Sequence, residues 1–243
     1  MLNSMGFEHK LKAVSFMKKI VFLNSGMGSN LRLVHSLSMA GYMDIEVTCV
    51  IADRDCGALD YARSMDIRYY KLSFDLERQG SIVSLLSDIN PDIIVTNVHR
   101  ILSPEFILRF SDQLINLHYS LLPAFGGHID FKPVSQALSY GVKLIGSTCH
   151  RVTNELDKGT PLAQSVFNAL PDEKKISEFV FLSGGLALIA ALSSIAIVES
   201  EKPSVSLFES KNRIFLVCPG FNYSNILLSI FEKEFSIKVT GKF

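Results

Sequence analysis

Asn116 and His118 stand two residues apart at the end of an apolar run, in the stretch "INLHYSLLPAFGG" that spans 115–127. In a strand, positions i and i+2 share a face, so the two side chains would stand together at the strand's carboxyl end. An imidazole suits proton transfer near neutral pH, and a carboxamide can donate to a developing oxyanion. The plain alternative is a buried polar pair satisfied by backbone. A third polar group comes from "HRVTNELDKGTP" (150–161), where a strand ends and a turn carries Asp157 just ahead of Gly159. A carboxylate there can hold and charge a histidine of a neighbouring strand, or it can be an ordinary turn aspartate.

A glycine-rich turn adds a different chemistry. "NSGMGSN" (24–30) links an apolar run to a helical pattern and holds Gly26, Gly28, Ser29 and Asn30. Glycines let backbone N–H groups approach an anion, and the helix start that follows favours negative charge. No G-K-[ST] follows and no third glycine completes G-x-G-x-x-G, so neither nucleotide fingerprint is present. The alternative is a tight turn with Ser29 or Asn30 capping the helix.

These residues need strands and helices to bring them together, and the chain has that rhythm. Strands are expected at 19–24, 45–52, 68–74, 92–98, 113–118, 143–152 and 161–170, with helices at 30–40, 57–65, 77–90, 103–110, 133–141 and 174–198. Ser103 and Pro104 mark one helix start, and Gly141 closes another. "SVSLFE" (204–209) and "RIFLVC" (213–218) suggest a terminal β-hairpin. Alternating strands and helices predict an α/β fold: a doubly wound, mostly parallel sheet with helices on both faces.

Composition narrows the field. A formal net charge of +0 gives no basic surface for nucleic acid or an anionic membrane, and 48% hydrophobic residues predict a sizeable core. Cys49, Cys56, Cys149 and Cys218 show neither C-x-x-C spacing nor a disulfide framework, which suits a reducing, cytoplasmic setting, and no metal-ligand spacing appears. The apolar stretch 179–198 has the length of a membrane span, but its Ser183-Gly184-Gly185 insert and Ser193-Ser194 pair favour a buried helix. The start of the chain carries Lys10, Lys12, Lys18 and Lys19 but no long apolar signal core, so residues 1–16 are expected to be a dispensable leader, with the catalytic domain at 17–200 and a C-terminal extension at 201–243.

Taken together and in order, "SGMGSNL", "HRILSPEF", "NLHYSLLP" and "GVKLIGSTCHRVTNELDKG" resemble the folate-dependent formyltransferases. The likeness is nearest to the phosphoribosylglycinamide formyltransferases and partial to the formyltetrahydrofolate deformylases. It implies a Rossmann-like sheet and 10-formyltetrahydrofolate as formyl donor, with no metal. It implies catalytic roles for Asn116, His118 and Asp157, with His150 as a second active-site histidine. Gly28, Ser29 and Asn30, with Gly26 in the same loop, match the segment that holds the substrate's phosphate. Arg100, Ile101 and Leu102, with Val98 and His99 beside them, match the wall of the folate pocket.

The implied reaction is formyl transfer to a small, phosphate-bearing amine, glycinamide ribonucleotide first, with another amine such as an amino sugar, or water, as alternatives. Several positions depart from the pattern: Tyr119 follows the histidine, Val98-His99 replaces an aromatic-methionine pair, and "FLSGG" replaces acceptor-holding polar residues. The loop at 124–135 is about three residues longer than in relatives by motif alignment. A phosphate-binding module or an inactive paralogue are the non-enzyme alternatives.

Overall fold

A computed structural model describes residues 17–129, 131–169, 173–196, 205–210, 213–221, 225–235 and 239–242. The expected leader at 1–16 lies outside the described residues. In chain order the elements are β1 (Lys18–Asn24), α1 (Ser29–Met39), β2 (Ile45–Ala52), α2 (Gly57–Ser64), β3 (Tyr69–Lys71), α3 (Gly80–Ile89), β4 (Ile93–Asn97), α4 (Pro104–Arg109) and β5 (Leu114–His118). Then come α5 (Lys132–Tyr140), β6 (Leu144–Arg151), β7 (Pro161–Asn168), α6 (Glu173–Ala196), β8 (Ser206–Ser210), β9 (Arg213–Cys218), α7 (Asn225–Phe235) and β10 (Val239–Lys242).

One sheet holds every strand in the order β10-β8-β9-β7-β6-β5-β4-β1-β2-β3. Strands β1 to β5 pair in parallel, as helical crossovers require. From β5 onward the added strands pair antiparallel. This is the expected doubly wound α/β sheet, mostly parallel through residues 18–118, extended on one side by antiparallel strands. β8 and β9 form the anticipated hairpin and continue the sheet from β7; α7 and β10 had no counterpart in the sequence reading.

Strand alternation sends side chains into two cores. On β1, Ile20 and Phe22 join the core under α1, α2 and α6, while Val21 and Leu23 join the one under α3 and α4. Helix α6 is long and apolar enough to cross a membrane by length and composition, yet most of its apolar stretch is buried within the protein. It packs on β6 and β7, where the apolar run meets apolar strands on its inner side. Gly184 lets it lie close: a Cβ there would sit 2.8 Å from Tyr119 and 3.0 Å from Leu117.

The strand order reverses at β1, which has β2 on one side and β4 on the other. In open α/β sheets, ligands bind where the order reverses, at the carboxyl ends of the strands. The glycine turn after β1 and the segment after β4 meet there: Ser25 N donates to Asn97 O at 3.1 Å, and His99 N donates to Ser25 Oγ at 2.9 Å.

Candidate active site

Strand β5 runs between β4 and β6, and its register sets the site. Asn116 stands across from Thr96 on β4 and from His150 on β6. Asn116 and His118 share the strand face that the sequence spacing predicts; Leu117 between them enters the opposite core. His118, His150 and Asp157 are buried at 6%, 2% and 9% exposure, while Asn116 is half-buried and keeps an open side.

Asp157 reaches the pair by a less direct route than a strand end. Because β6 is antiparallel to β5, its last residue lies beside Ile115 rather than beside His118. The 152–160 loop starts there, with Val152 N donating to Leu114 O at 3.2 Å, and must turn back along β5. Two backbone features make that turn. Asp157 itself has φ 56°, in the left-handed region, and a Cβ on Gly159 would overlap the Arg151 carbonyl oxygen. Gly127 N donates to Asp157 Oδ2 at 2.7 Å and anchors the carboxylate.

The returned loop places Asp157 Oδ2 3.5 Å from His118 Nδ1 and Oδ1 3.7 Å from His150 Nε2. The other nitrogen of His118, Nε2, lies 3.2 Å from the Phe125 carbonyl, so both of its nitrogens face oxygens and are placed to donate. His150 is different. Its Nδ1 faces the Arg151 carbonyl at 2.8 Å, and its Nε2 faces Asn116 Nδ2 at 3.3 Å. Burial pushes its pKa below the ordinary imidazole value, against the Arg151 carbonyl bond and nearby Asp157, which favour the charged ring. The site thus pairs a neutral, buried imidazole with one held against a carboxylate, a division suited to separating donor and acceptor roles.

The remaining candidates lie at neighbouring strand ends. Gly28 has φ 77° and is the N-cap of α1; no side chain caps that helix, so Ser29 and Asn30 do not serve as caps. Ser29 opens the helix and Asn30 is buried within it. The turn is two strands from β5, roughly 10 Å at ordinary strand spacing. Val98 and Leu102 pack on the α3–α4 core, and Ile101 is 76% exposed. Gln79 braces this segment, donating to Ile101 O at 2.8 Å and accepting from Ser103 N at 2.8 Å. This leaves the Ile101 side chain exposed on a braced backbone.

Arg100 points elsewhere, to Asp53 at 3.0 Å, which also binds Arg54 at 2.6 Å. The two guanidinium groups hold the Asp53 carboxyl far below the usual range, chiefly through the Arg54 hydrogen bond. A cleft of about 490 Å³ opens beside them, lined by Asp53, Lys71, Phe74 and Arg100 among others, and it does not include Asn116, His118 or Asp157. Thr96, Phe125 and Gly127 touch the candidate trio and were not singled out in the sequence. Thr96 alone had a signal: it is a hydroxyl that follows three aliphatic residues in β4. Among the described residues, no three His, Cys, Asp or Glu side chains are grouped as metal ligands.

Fold and site together define a doubly wound α/β protein with Asn116, His118 and Asp157 gathered at the carboxyl end of β5. A model of the formyl transferase family matches residues 18–178, and the chain belongs to that family. It is 33% identical over 186 residues to a phosphoribosylglycinamide formyltransferase of Mycobacterium tuberculosis, covering 73% of this chain and 85% of that protein. It is 33% identical over 156 residues to a formyltetrahydrofolate deformylase of Haemophilus influenzae, covering 62% of this chain and 55% of that protein. The chain thus spans about half the length of that deformylase. The solved glycinamide ribonucleotide transformylase 1 of Symbiobacterium toebii superposes with a TM-score of 0.69 at 25% identity, over 76% of this chain and 92% of that one.

Proposed function

We propose that the protein transfers a formyl group from 10-formyltetrahydrofolate to an amine, with glycinamide ribonucleotide the first candidate. The observation that carries this reading is the convergence of Asn116, His118 and Asp157 at the carboxyl end of β5. The folate supplies the formyl carbon, which the amine nitrogen attacks as the bond to the folate nitrogen breaks. Asn116 uses a free amide N–H to hold the formyl oxygen as negative charge grows there. His118, backed by Asp157, donates to the same charge and carries the proton from attacking to leaving nitrogen. For that, its Nε2 must exchange the Phe125 carbonyl for the ligand.

Segment 98–102 offers a wall for the folate ring, with Ile101 exposed and Leu102 packed behind. Gly26, Gly28, Ser29 and Asn30 frame the acceptor side, where backbone N–H groups at the α1 start suit a phosphate.

A second reading, transfer to a different amine, is favoured by the aromatic group following His118. Tyr119 stacks on Phe131 at 6.0 Å, and both meet Phe181 edge-on at 5.6 and 5.2 Å. The test is an acceptor screen with 10-formyltetrahydrofolate, read by release of tetrahydrofolate. Turnover dependent on glycinamide ribonucleotide is expected. Turnover only with an amino sugar or other amine selects the second reading, turnover with water alone indicates hydrolysis, and none with any acceptor overturns formyl transfer.

A further inference from the structure

Thr96 is 6% exposed in a strand whose preceding residues are aliphatic, and its hydroxyl lies within hydrogen-bond distance of the carboxamide of Asn116. Its Oγ is 3.1 Å from Asn116 Oδ1 and 3.1 Å from the Ile115 carbonyl oxygen. A hydroxyl has one proton and donates to one of them at a time.

The far end of the chain of bonds decides which way the carboxamide faces. The Arg151 carbonyl can only accept, so His150 Nδ1, 2.8 Å away, carries a proton. In the neutral ring, Nε2 is then a bare lone pair, and the atom facing it must be a donor. Asn116 therefore turns its nitrogen to His150, at 3.3 Å, and its oxygen to β4. There the oxygen needs a donor, and the pairing of β4 with β5 sets the Thr96 hydroxyl opposite it. One amide hydrogen is spent on His150, and the second stays free on the open side of Asn116.

We propose that Thr96 is a positioning residue: its hydroxyl anchors the oxygen end of the Asn116 carboxamide, while His150 anchors the nitrogen end, so that the remaining N–H is held still for a ligand oxygen. The inference rests on reading Asn116 as the donor to the formyl oxygen. A carboxamide held at both ends donates without first being reoriented, and preorganised donors contribute most where charge develops. Thr96 itself touches no substrate; it acts through Asn116.

The test uses the full chain with Thr96→Val, which keeps the shape and removes the hydroxyl, Thr96→Ser, which keeps the hydroxyl, and Thr96→Ala as a second deletion. One arm is independent of turnover: the Asn116 side-chain amide pair in ¹⁵N-labelled protein, assigned by its loss in Asn116→Asp. Slow exchange of the amide protons with solvent is expected in wild type and Thr96→Ser, and faster exchange with shifted signals in Thr96→Val and Thr96→Ala. In the kinetic arm, Thr96→Val is expected to lose about tenfold in kcat with the folate KM within about threefold, and Thr96→Ser to restore kcat. Unchanged amide signals in both deletions overturn the assignment, as does a serine variant as impaired as the valine one. Amide signals that change as stated in a protein with no formyl transfer leave Thr96 as the positioning residue and overturn the functional reading instead.

Discussion

His118 is held between two oxygens, the Asp157 carboxylate at 3.5 Å and the Phe125 carbonyl at 3.2 Å. A group that acts only on transition-state charge lowers kcat and kcat/KM together when removed. His118→Ala and Asp157→Asn are each expected to lose about 10²–10⁴-fold in kcat, with folate affinity within about threefold of wild type. The double variant should lose less than the product; steady-state kinetics with a folate-binding titration checks both.

His150 makes a separate prediction about stability. Its unfolded-state pKa is near the ordinary value of 6.5, and burial lowers the folded one. Between those two values the unfolded chain binds a proton that the folded protein does not, so stability is full above about 6.5 and falls as pH drops through that interval. His35 is shifted the same way by burial. Thermal melts from pH 7.5 to 5.5 should show a loss in wild type and a smaller loss in His150→Gln; equal losses would remove His150 as a source.

Asn116 and His118 were legible because i, i+2 spacing fixes a shared face. The bonds from Phe125 and Gly127 were not, since both come from backbone atoms that any residue carries.

Among the elements, the 152–160 loop carries the heaviest positional demand. It leaves at the wrong end of β5 for a strand-end aspartate and returns through Asp157 in the left-handed region and the crowded backbone at Gly159. Gly159→Ala would push its Cβ into the Arg151 carbonyl, and backbone cannot yield as a side-chain tip can. The variant is expected to lose kcat to about the extent of Asp157→Asn and to melt lower than wild type; normal kcat would mean that Asp157 can be placed by another path. Gly184→Ala differs in kind. The atoms it meets belong to Tyr119 and Leu117 side chains, so a cost of about 1–3 kcal/mol from overpacking is expected, read by chemical denaturation. Apolar periodicity predicted most strands and helices to within a few residues, but the antiparallel course of β6 is a tertiary fact. Nothing in "KLIGSTCHRV" states its direction, and so the return of the loop could not be foreseen.

At the scale of the molecule, the hairpin of β8 and β9 is tied to the rest by packing. Phe215 is fully buried, 5.1 Å ring to ring from Phe167 on β7 and 6.2 Å from Phe179 on α6, and the Arg213 guanidinium lies 4.4 Å above Phe179. Phe215→Ala is expected to cost about 3–5 kcal/mol through the cavity it leaves. Because β9 extends the sheet from β7, that loss should lower a single unfolding transition. A second transition, unmoved by the substitution, would mark residues 206–218 as a separate unit. The boundary between 17–200 and 201–243 follows the reach of the family resemblance; in the fold, hydrogen bonds between β7 and β9 carry one sheet across it.

The strand order also has a meaning in time. During synthesis, β1 to β3 emerge first and build outward to one edge; β4 then takes the free side of β1, and β5, β6 and β7 each meet the edge made just before. Domains generally fold as units while the chain is made, at roughly 5–20 residues per second. Helix α6, the segment apolar enough to be mistaken for a membrane span, follows β6 and β7, the strands it packs on. Protease protection of α6 in ribosome-bound chains should therefore begin as the helix clears the exit tunnel, before β8 and β9 have emerged to join the sheet. The most apolar helix of the polypeptide thus reaches a surface already waiting for it, which shortens the time it stands exposed to chaperones or to the machinery that inserts apolar helices into bilayers.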